Sequence, residues 1–281
     1  MLPRTLGVVG LDALTRSVAW RAVRRGVKRV IGYGLYPRNG ITAIKSGAVT
    51  ELVSDVRRVV GPAQLILISA PPLRSMELLE RLAPILAERG VYCTDVAGVK
   101  APILAKAAYL GLTASFAGSH VHGEIGCIGS RGVHADRLEG SIAYVTALPG
   151  GDIPAREVAD FWKRAVGVEP VLLDAELLDR TLAWTAHLPQ LVAATLVSAL
   201  SKHVPKGMTL GKEALAATGL VLGSTSELAQ MLMLNRDGVL QALEGVCEEL
   251  EGLRIAVSRG DERAIGEWLE QVRSRRSRFI S

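Results

Sequence analysis

The 281-residue sequence predicts a doubly wound α/β domain followed by an all-helical domain. Short β-rich runs alternate with amphipathic stretches through the first half, as strands and covering helices would. The run Leu65-Ile66-Leu67-Ile68-Ser69 is apolar toward both sides of a sheet, which suits a parallel strand buried between two helical layers. Beyond Leu177 only helical periodicity remains.

Residues 6–10, Leu-Gly-Val-Val-Gly, form the first predicted strand, and 14–25 a helix in which Val18, Ala22 and Val23 recur at helical spacing. Residues 29–33 and 65–69 are the next two strands. A helix over 76–88 is stopped by Gly90, and strands follow at 91–94 and 141–146. The turn-rich segment Leu148-Pro149-Gly150-Gly151-Asp152-Ile153-Pro154 precedes a helix over 155–166 and one more strand at 168–173. The division therefore falls between 1–174 and 175–281. In the second part Ser224, with Glu227 three residues later, has the form of a capping box opening a long helix through Asn235 toward Ser258. Gly260-Asp261 separates a last helix that ends in Arg273, Arg275, Arg276 and Arg278.

Composition excludes several classes of function. With 49% hydrophobic and 22% charged residues the chain is neither disordered nor collagen-like. The net charge of +5 is scattered until the tail, so nothing indicates a nucleic-acid groove. Cys93, Cys127 and Cys247 are odd in number and far apart, which offers no disulfide framework and no zinc spacing; a reducing, cytoplasmic setting follows. The longest nearly apolar run, 188–200, spans about 20 Å as a helix against about 30 Å of hydrocarbon, and the N-terminus lacks an export pattern. No membrane contact is expected.

Chemistry is expected at the carboxyl ends of the strands. The first turn reads Gly7-Val8-Val9-Gly10-Leu11-Asp12-Ala13-Leu14-Thr15. A dinucleotide turn asks for glycine at positions 10, 12 and 15, and only the first is met; Asp12 and Thr15 stand at the others. Gly7, Gly10 and Leu11 here, with Ala70 and Pro71 after the third strand and Asp95 after the fourth, are the candidate cofactor contacts of a Rossmann-like domain. The second strand ends in Tyr33-Gly34-Leu35-Tyr36-Pro37-Arg38, with no acidic residue for a ribose diol. Arg38 there matches a 2′-phosphate, favouring NADP, with NAD as the alternative. Asp95 and Lys100 share the segment Asp95-Val96-Ala97-Gly98-Val99-Lys100. His120 and His122 lie with Glu124 in a segment read as a glycine-flanked loop; lacking a third ligand at a recognisable spacing, they suit acid–base work better than metal. On a later helix Trp184 and His187 share one side, and Pro189 opens the backbone ladder.

These segments, in this order, resemble the prephenate and arogenate dehydrogenases of tyrosine biosynthesis, over roughly the whole chain. The family's D-x-G-S-V-K pattern is met by Asp95 to Lys100, its G-x-H-P-M loop by Gly118-Ser119-His120-Val121-His122, and its H-D and S-H-L-P segments by Leu178-Asp179 and Ala186-His187-Leu188-Pro189. The Asn235 region resembles the family's asparagine segment. The resemblance implies a nucleotide-binding domain followed by a helical dimerisation domain, a homodimer, and NADP-dependent oxidative decarboxylation of a cyclohexadienol. It implies His120 as the base that takes the ring hydroxyl's proton, and His187 as a second site histidine. His122, Trp184 and Lys212 are the further candidates for holding a small anionic substrate. Several site residues depart from the family: Gly98 stands for its serine, Leu178 for a histidine, and Thr218-Gly219 for the Thr-Arg pair whose arginine clamps a carboxylate. Two other readings follow from these departures, a related NAD(P)-dependent oxidoreductase with another small substrate and a non-catalytic regulatory homologue.

Overall fold

The computed structural model describes residues 2–122, 138, 140–205, 207–221 and 224–279. They form two compact units, Met1–Asn235 and Arg236–Ser281. The first opens with β1 (Thr5–Val9), α1 (Ala13–Arg24), β2 (Arg29–Tyr33), α2 (Pro37–Lys45), β3 (Glu51–Leu52), α3 (Arg57–Val60), β4 (Leu65–Ile68), α4 (Pro72–Arg89) and β5 (Tyr92–Asp95). The five strands make one sheet in the order β3-β2-β1-β4-β5, every pair parallel. Alternation along the strands separates two cores. Leu6, Val8, Leu65 and Leu67 pack with Val18 and Ala22 of α1, while Val9, Ile66 and Ile68 pack with Leu78 and Leu82 of α4. Burial on both faces is what the apolar run at 65–69 predicted.

The chain continues through α5 (Ala101–Tyr109), β6 (Ala117–His122), β7 (Ile142–Ala147), α6 (Asp152–Asp160) and β8 (Glu169–Leu172). These strands form a second sheet, β6 antiparallel to β7 and β7 parallel to β8, linked to the first by a parallel bridge between Cys93 and Phe116. The segment read as a loop at His120 and His122 is thus strand as far as His122, because β7 supplies a full row of backbone partners. Glu124 and Cys127 lie outside the described residues.

Helices follow: α7 (Ala175–Leu182), α8 (Leu188–His203), α9 (Lys212–Thr218) and α10 (Thr225–Leu234). A π-helical turn over Ala183–His187 joins α7 to α8 directly before Pro189, whose missing N–H cannot continue the regular ladder. The single helix predicted from Ser224 to Ser258 is two. The first ends at Leu234, and Asn235 leaves helical geometry at φ −113°, ψ 36°. Its side chain is drawn off to donate to the Asp179 carbonyl oxygen at 2.6 Å. The second unit holds α11 (Arg236–Ser258) and α12 (Glu262–Arg276), joined through Gly260 and capped by Asp261, which accepts from the Ala264 N–H at 3.0 Å. Within it Trp268 Nε1 donates to Glu249 at 3.1 Å. No described helix is long and apolar enough to cross a membrane.

Candidate active site

Parallel strands end together, so the turns after β1, β2 and β4 meet at one edge of the sheet. Gly10 takes φ 90° there, and a Cβ on it would lie 1.8 Å from the Ser69 carbonyl oxygen, so the position admits only glycine. Beside it is a crevice of about 200 Å³. Gly10, Leu11, Ala70 and Pro71 line it from the ends of β1 and β4, Tyr36 and Asn39 from beyond β2, and Ser224 and Glu227 from the start of α10. Four of the expected cofactor contacts are thereby brought together.

The other three sit elsewhere. Gly7 is inside the core, where a Cβ would meet Ile66 and Val59 at 2.4 and 2.5 Å; its smallness serves packing. Arg38 is exposed in the first turn of α2, next to Asn39 but not itself lining the crevice. Asp95 is fully buried and ion-paired with the equally buried Lys100, and it accepts from the Ala97 N–H at 2.9 Å. A side chain so enclosed cannot reach a ligand in the crevice.

Asp12 also lines the crevice, with its charge already met. It caps α1 by accepting from the Thr15 N–H at 2.9 Å, and from the hydroxyls of Thr15 at 3.1 Å and of Ser69. The Thr15 hydroxyl shares its one proton between Asp12 and the Gly10 carbonyl oxygen, which lies at 2.7 Å. Glu227 was read as a capping residue. Its backbone N–H does donate to Ser224 Oγ at 3.2 Å, but its carboxylate has no hydrogen-bond partner among the described residues and faces the crevice. Burial first, and Asp12 second, push the Glu227 carboxyl above its ordinary range. Glu227 lines a second cavity of about 200 Å³ as well, with Gln190, Ala194, Leu228 and Met231.

A buried polar cluster lies behind β6. Ser119 Oγ bonds Thr94 Oγ1 at 2.6 Å and accepts from Trp162 Nε1 at 2.9 Å. His120 is half-buried, and its Nδ1 is shut off from solvent without a partner among the described residues. Burial, and then the Lys100 ammonium, lower its pKa to about 3, against a hydrogen bond donated by the ring to the Ala97 carbonyl oxygen; His122 and His187 add smaller repulsions. These influences mark His120, His122, His187 and Lys100 as neighbours. For the Asp95–Lys100 pair, burial pushes the carboxyl up and the amine down, while their mutual attraction holds both charges.

Sequence reasoning missed the network that fixes His187. Nε2 lies 3.2 Å from the Gly98 carbonyl oxygen and Nδ1 lies 3.4 Å from the Asn235 amide nitrogen. A carbonyl only accepts and that amide nitrogen only donates, so the imidazole is neutral with its proton on Nε2. Asp179 completes the network by accepting from the N–H groups of Lys100 at 2.6 Å and Ala101 at 2.8 Å, at the start of α5. With both nitrogens engaged, His187 holds the Gly98 segment in place. His122 is exposed at the end of β6, its ring 6.2 Å from that of Tyr144. Trp184 is 43% exposed, and Lys212 is exposed at the start of α9. Nothing places either against the histidines.

Residues 174–271 match the family model described as the prephenate dehydrogenase dimerization domain. A prephenate dehydrogenase of Bacillus subtilis (strain 168) is 23% identical over 265 residues, covering 92% of this chain and 71% of that protein. Prephenate dehydrogenase from A. aeolicus, solved with hydroxyphenyl propionate and NAD+, superposes with a TM-score of 0.87 at 22% identity, covering 98% of both chains. Synechocystis arogenate dehydrogenase gives 0.78 at 22% identity, covering 98% of this chain and 99% of that one. The doubly wound unit and the helical segment that follows it therefore share the fold of the prephenate and arogenate dehydrogenases, and residues 174–271 match the dimerization domain of that family.

Proposed function

We propose that the protein catalyses the nicotinamide-dependent oxidative decarboxylation of prephenate or arogenate, with NADP as the preferred dinucleotide. His120 carries this reading: an imidazole on β6 whose Nδ1 is buried and has no partner among the described residues, beside Lys100 and two further histidines. The relatives point the same way, since one is named for prephenate and was solved with NAD+, and another is named for arogenate.

The crevice fits a dinucleotide in its backbone. The tight Gly10 turn leaves the edge of the sheet open, and the positive ends of α1 and α10 converge there. Gly10, Leu11, Ala70 and Pro71 would hold the pyrophosphate, with Asn39 and Tyr36 toward the adenosine. Arg38, with no acidic side chain after β2, favours a 2′-phosphate. When bound, the nicotinamide supplies the acceptor for the hydride that leaves the carbon bearing the ring hydroxyl as carbon dioxide departs and the ring becomes aromatic.

The chain's own residues orient the substrate and take one proton. His120, neutral at physiological pH, accepts the hydroxyl proton at Nδ1. An anionic substrate beside it raises its proton affinity from the low ligand-free value, bringing it nearer a working base. His187 acts as a positioning residue through Gly98, and His122, Trp184 and Lys212 are assigned to the substrate. Residues 1–174 then serve the nucleotide, and 175–281 the substrate and a homodimer contact. The match to a dimerization domain supports the latter, as do the exposed Val192, Val197, Leu250 and Leu269.

The test is to titrate the protein with NADPH and NADH, following nicotinamide fluorescence, and then to supply prephenate or arogenate with oxidised cofactor and follow absorbance. Turnover that falls about 100-fold or more in His120→Ala is expected. Near-full turnover in that variant would remove His120 as the base, and binding of neither nucleotide would favour the non-catalytic reading.

A further inference from the structure

We infer that a dinucleotide entering the crevice takes up one proton on Glu227, converting a repelling carboxylate into a hydrogen-bond donor to the pyrophosphate. This rests on the dinucleotide reading above.

The crevice presents two carboxylates to a ligand that carries two phosphate charges. Asp12 faces it from the β1–α1 turn and Glu227 from α10, while β4 and the segment after β2 contribute only neutral groups, among them Ser69, Tyr36 and Asn39. None of the described lining residues is Lys, Arg or His. The two acids differ in their surroundings. Asp12 accepts from a backbone N–H and two hydroxyls, so its charge is compensated within the protein and protonation would cost it those bonds. Glu227 has no such donors among the described residues, and it stands at the third position of α10 without reaching back to close a capping box. Its burial and the nearby Asp12 already favour the protonated form. A third and fourth negative charge in the same crevice push in the same direction. A solvent proton therefore moves to a Glu227 carboxylate oxygen and is shared with a non-bridging phosphate oxygen; no bond to phosphorus changes.

Calorimetric titration with NAD+, which has no 2′-phosphate to titrate near neutrality, in two buffers of different ionisation enthalpy counts the protons directly. Wild-type protein should take up close to one proton at pH 7, and its affinity should fall by up to about tenfold per pH unit as pH rises. Glu227→Gln, which keeps shape and donor capacity, should show no uptake and an affinity independent of pH. Asp12→Asn should retain the uptake. Uptake that persists in Glu227→Gln, disappears in Asp12→Asn, or is absent in the wild type would overturn the assignment while leaving dinucleotide binding intact. Absence of NAD+ binding in all three proteins would overturn the dinucleotide reading as well.

Discussion

Lys100→Met isolates the buried ion pair behind the candidate base. Both side chains of the Lys100–Asp95 pair are fully buried, and without the ammonium Asp95 keeps only backbone donors, the Ala97 N–H at 2.9 Å and that of Ser119. Stranding one partner of a buried pair typically costs about 3 to 5 kcal/mol. The structure also sets a ceiling. Asp95 can escape by taking a proton, and neutralising a carboxyl of ordinary pKa at pH 7 costs about 4 kcal/mol. The sign of the pH dependence follows. In the variant, folded Asp95 holds its proton above the range where the unfolded chain has released it. Stability therefore falls as pH rises from about 4, by up to about 1.4 kcal/mol per unit relative to the wild type. Asp95→Asn added to Lys100→Met keeps an acceptor for Ala97 and removes the charge, so most of the loss should return. Urea unfolding at pH 5, 6 and 7 of the wild type, the single and the double variant measures all three quantities. A loss under about 1 kcal/mol at pH 7, a loss independent of pH, or a double variant no better than the single would refute the reasoning.

Two further predictions concern the histidines. His120 is neutral when folded and titrates at about 3, against 6.5 for an ordinary imidazole, so its contribution is intact above 6.5 and is lost as pH falls toward 3. His120→Phe should flatten the wild-type acid limb by up to about 1.4 kcal/mol per pH unit in that window, and an unchanged limb in the unfolding curves would contradict the burial argument. Asn235→Ala removes the 2.6 Å side-chain donor to the Asp179 carbonyl oxygen, which keeps the Ala183 N–H, and leaves the His187 Nδ1 without its donor. The expected loss is about 1 to 3 kcal/mol, with a rise in the His187 pKa followed by NMR; a stable variant with an unmoved His187 titration would dissolve the network.

The main sheet was legible because its signal is local. The apolar runs of β1, β2, β4 and β5 specify strands whatever their neighbours, and burial of both faces specifies helical cover. In the second sheet β7 and β8 were legible but β6 was not, because β6 is strand through pairing with β7, some twenty residues on, and the glycine and histidines of Ala117–His122 carry little strand propensity. In the site, Gly10, Leu11, Ala70 and Pro71 were legible as ends of parallel strands. Glu227 was not, since a residue three positions after a capping serine reads as part of the cap until its side chain is seen to face away. Asn235 stood out only through the family resemblance and by pattern reads as one more residue of a long helix, because its partners, Asp179 and His187, are 56 and 48 residues distant.

The departures from the family pattern are matched to one another in space, and this bears on how they are to be reversed. Asp12 and Thr15 stand where a dinucleotide turn has glycines, and they bond each other, so replacing either removes a hydrogen bond from its partner. Gly98 stands where the family has serine, and a Cβ on Gly98 would lie 2.4 Å from Met231 Sδ, too close for both to stay in place. The thioether of α10 occupies the room that a serine side chain would need. Gly98→Ser alone is accordingly an overpacking change, expected to cost about 1 to 3 kcal/mol because the Gly98 segment is also pinned through its carbonyl oxygen to His187. With Met231→Ala the serine gains its space, and the strain should largely vanish although the lost thioether packing carries a cost of its own. Non-additivity is therefore the diagnostic quantity. A double variant more stable than the sum of the two single losses by about 1 kcal/mol or more is expected from thermal or urea unfolding, whereas strictly additive losses would mean that Met231 yields freely and that Gly98 was not its counterpart.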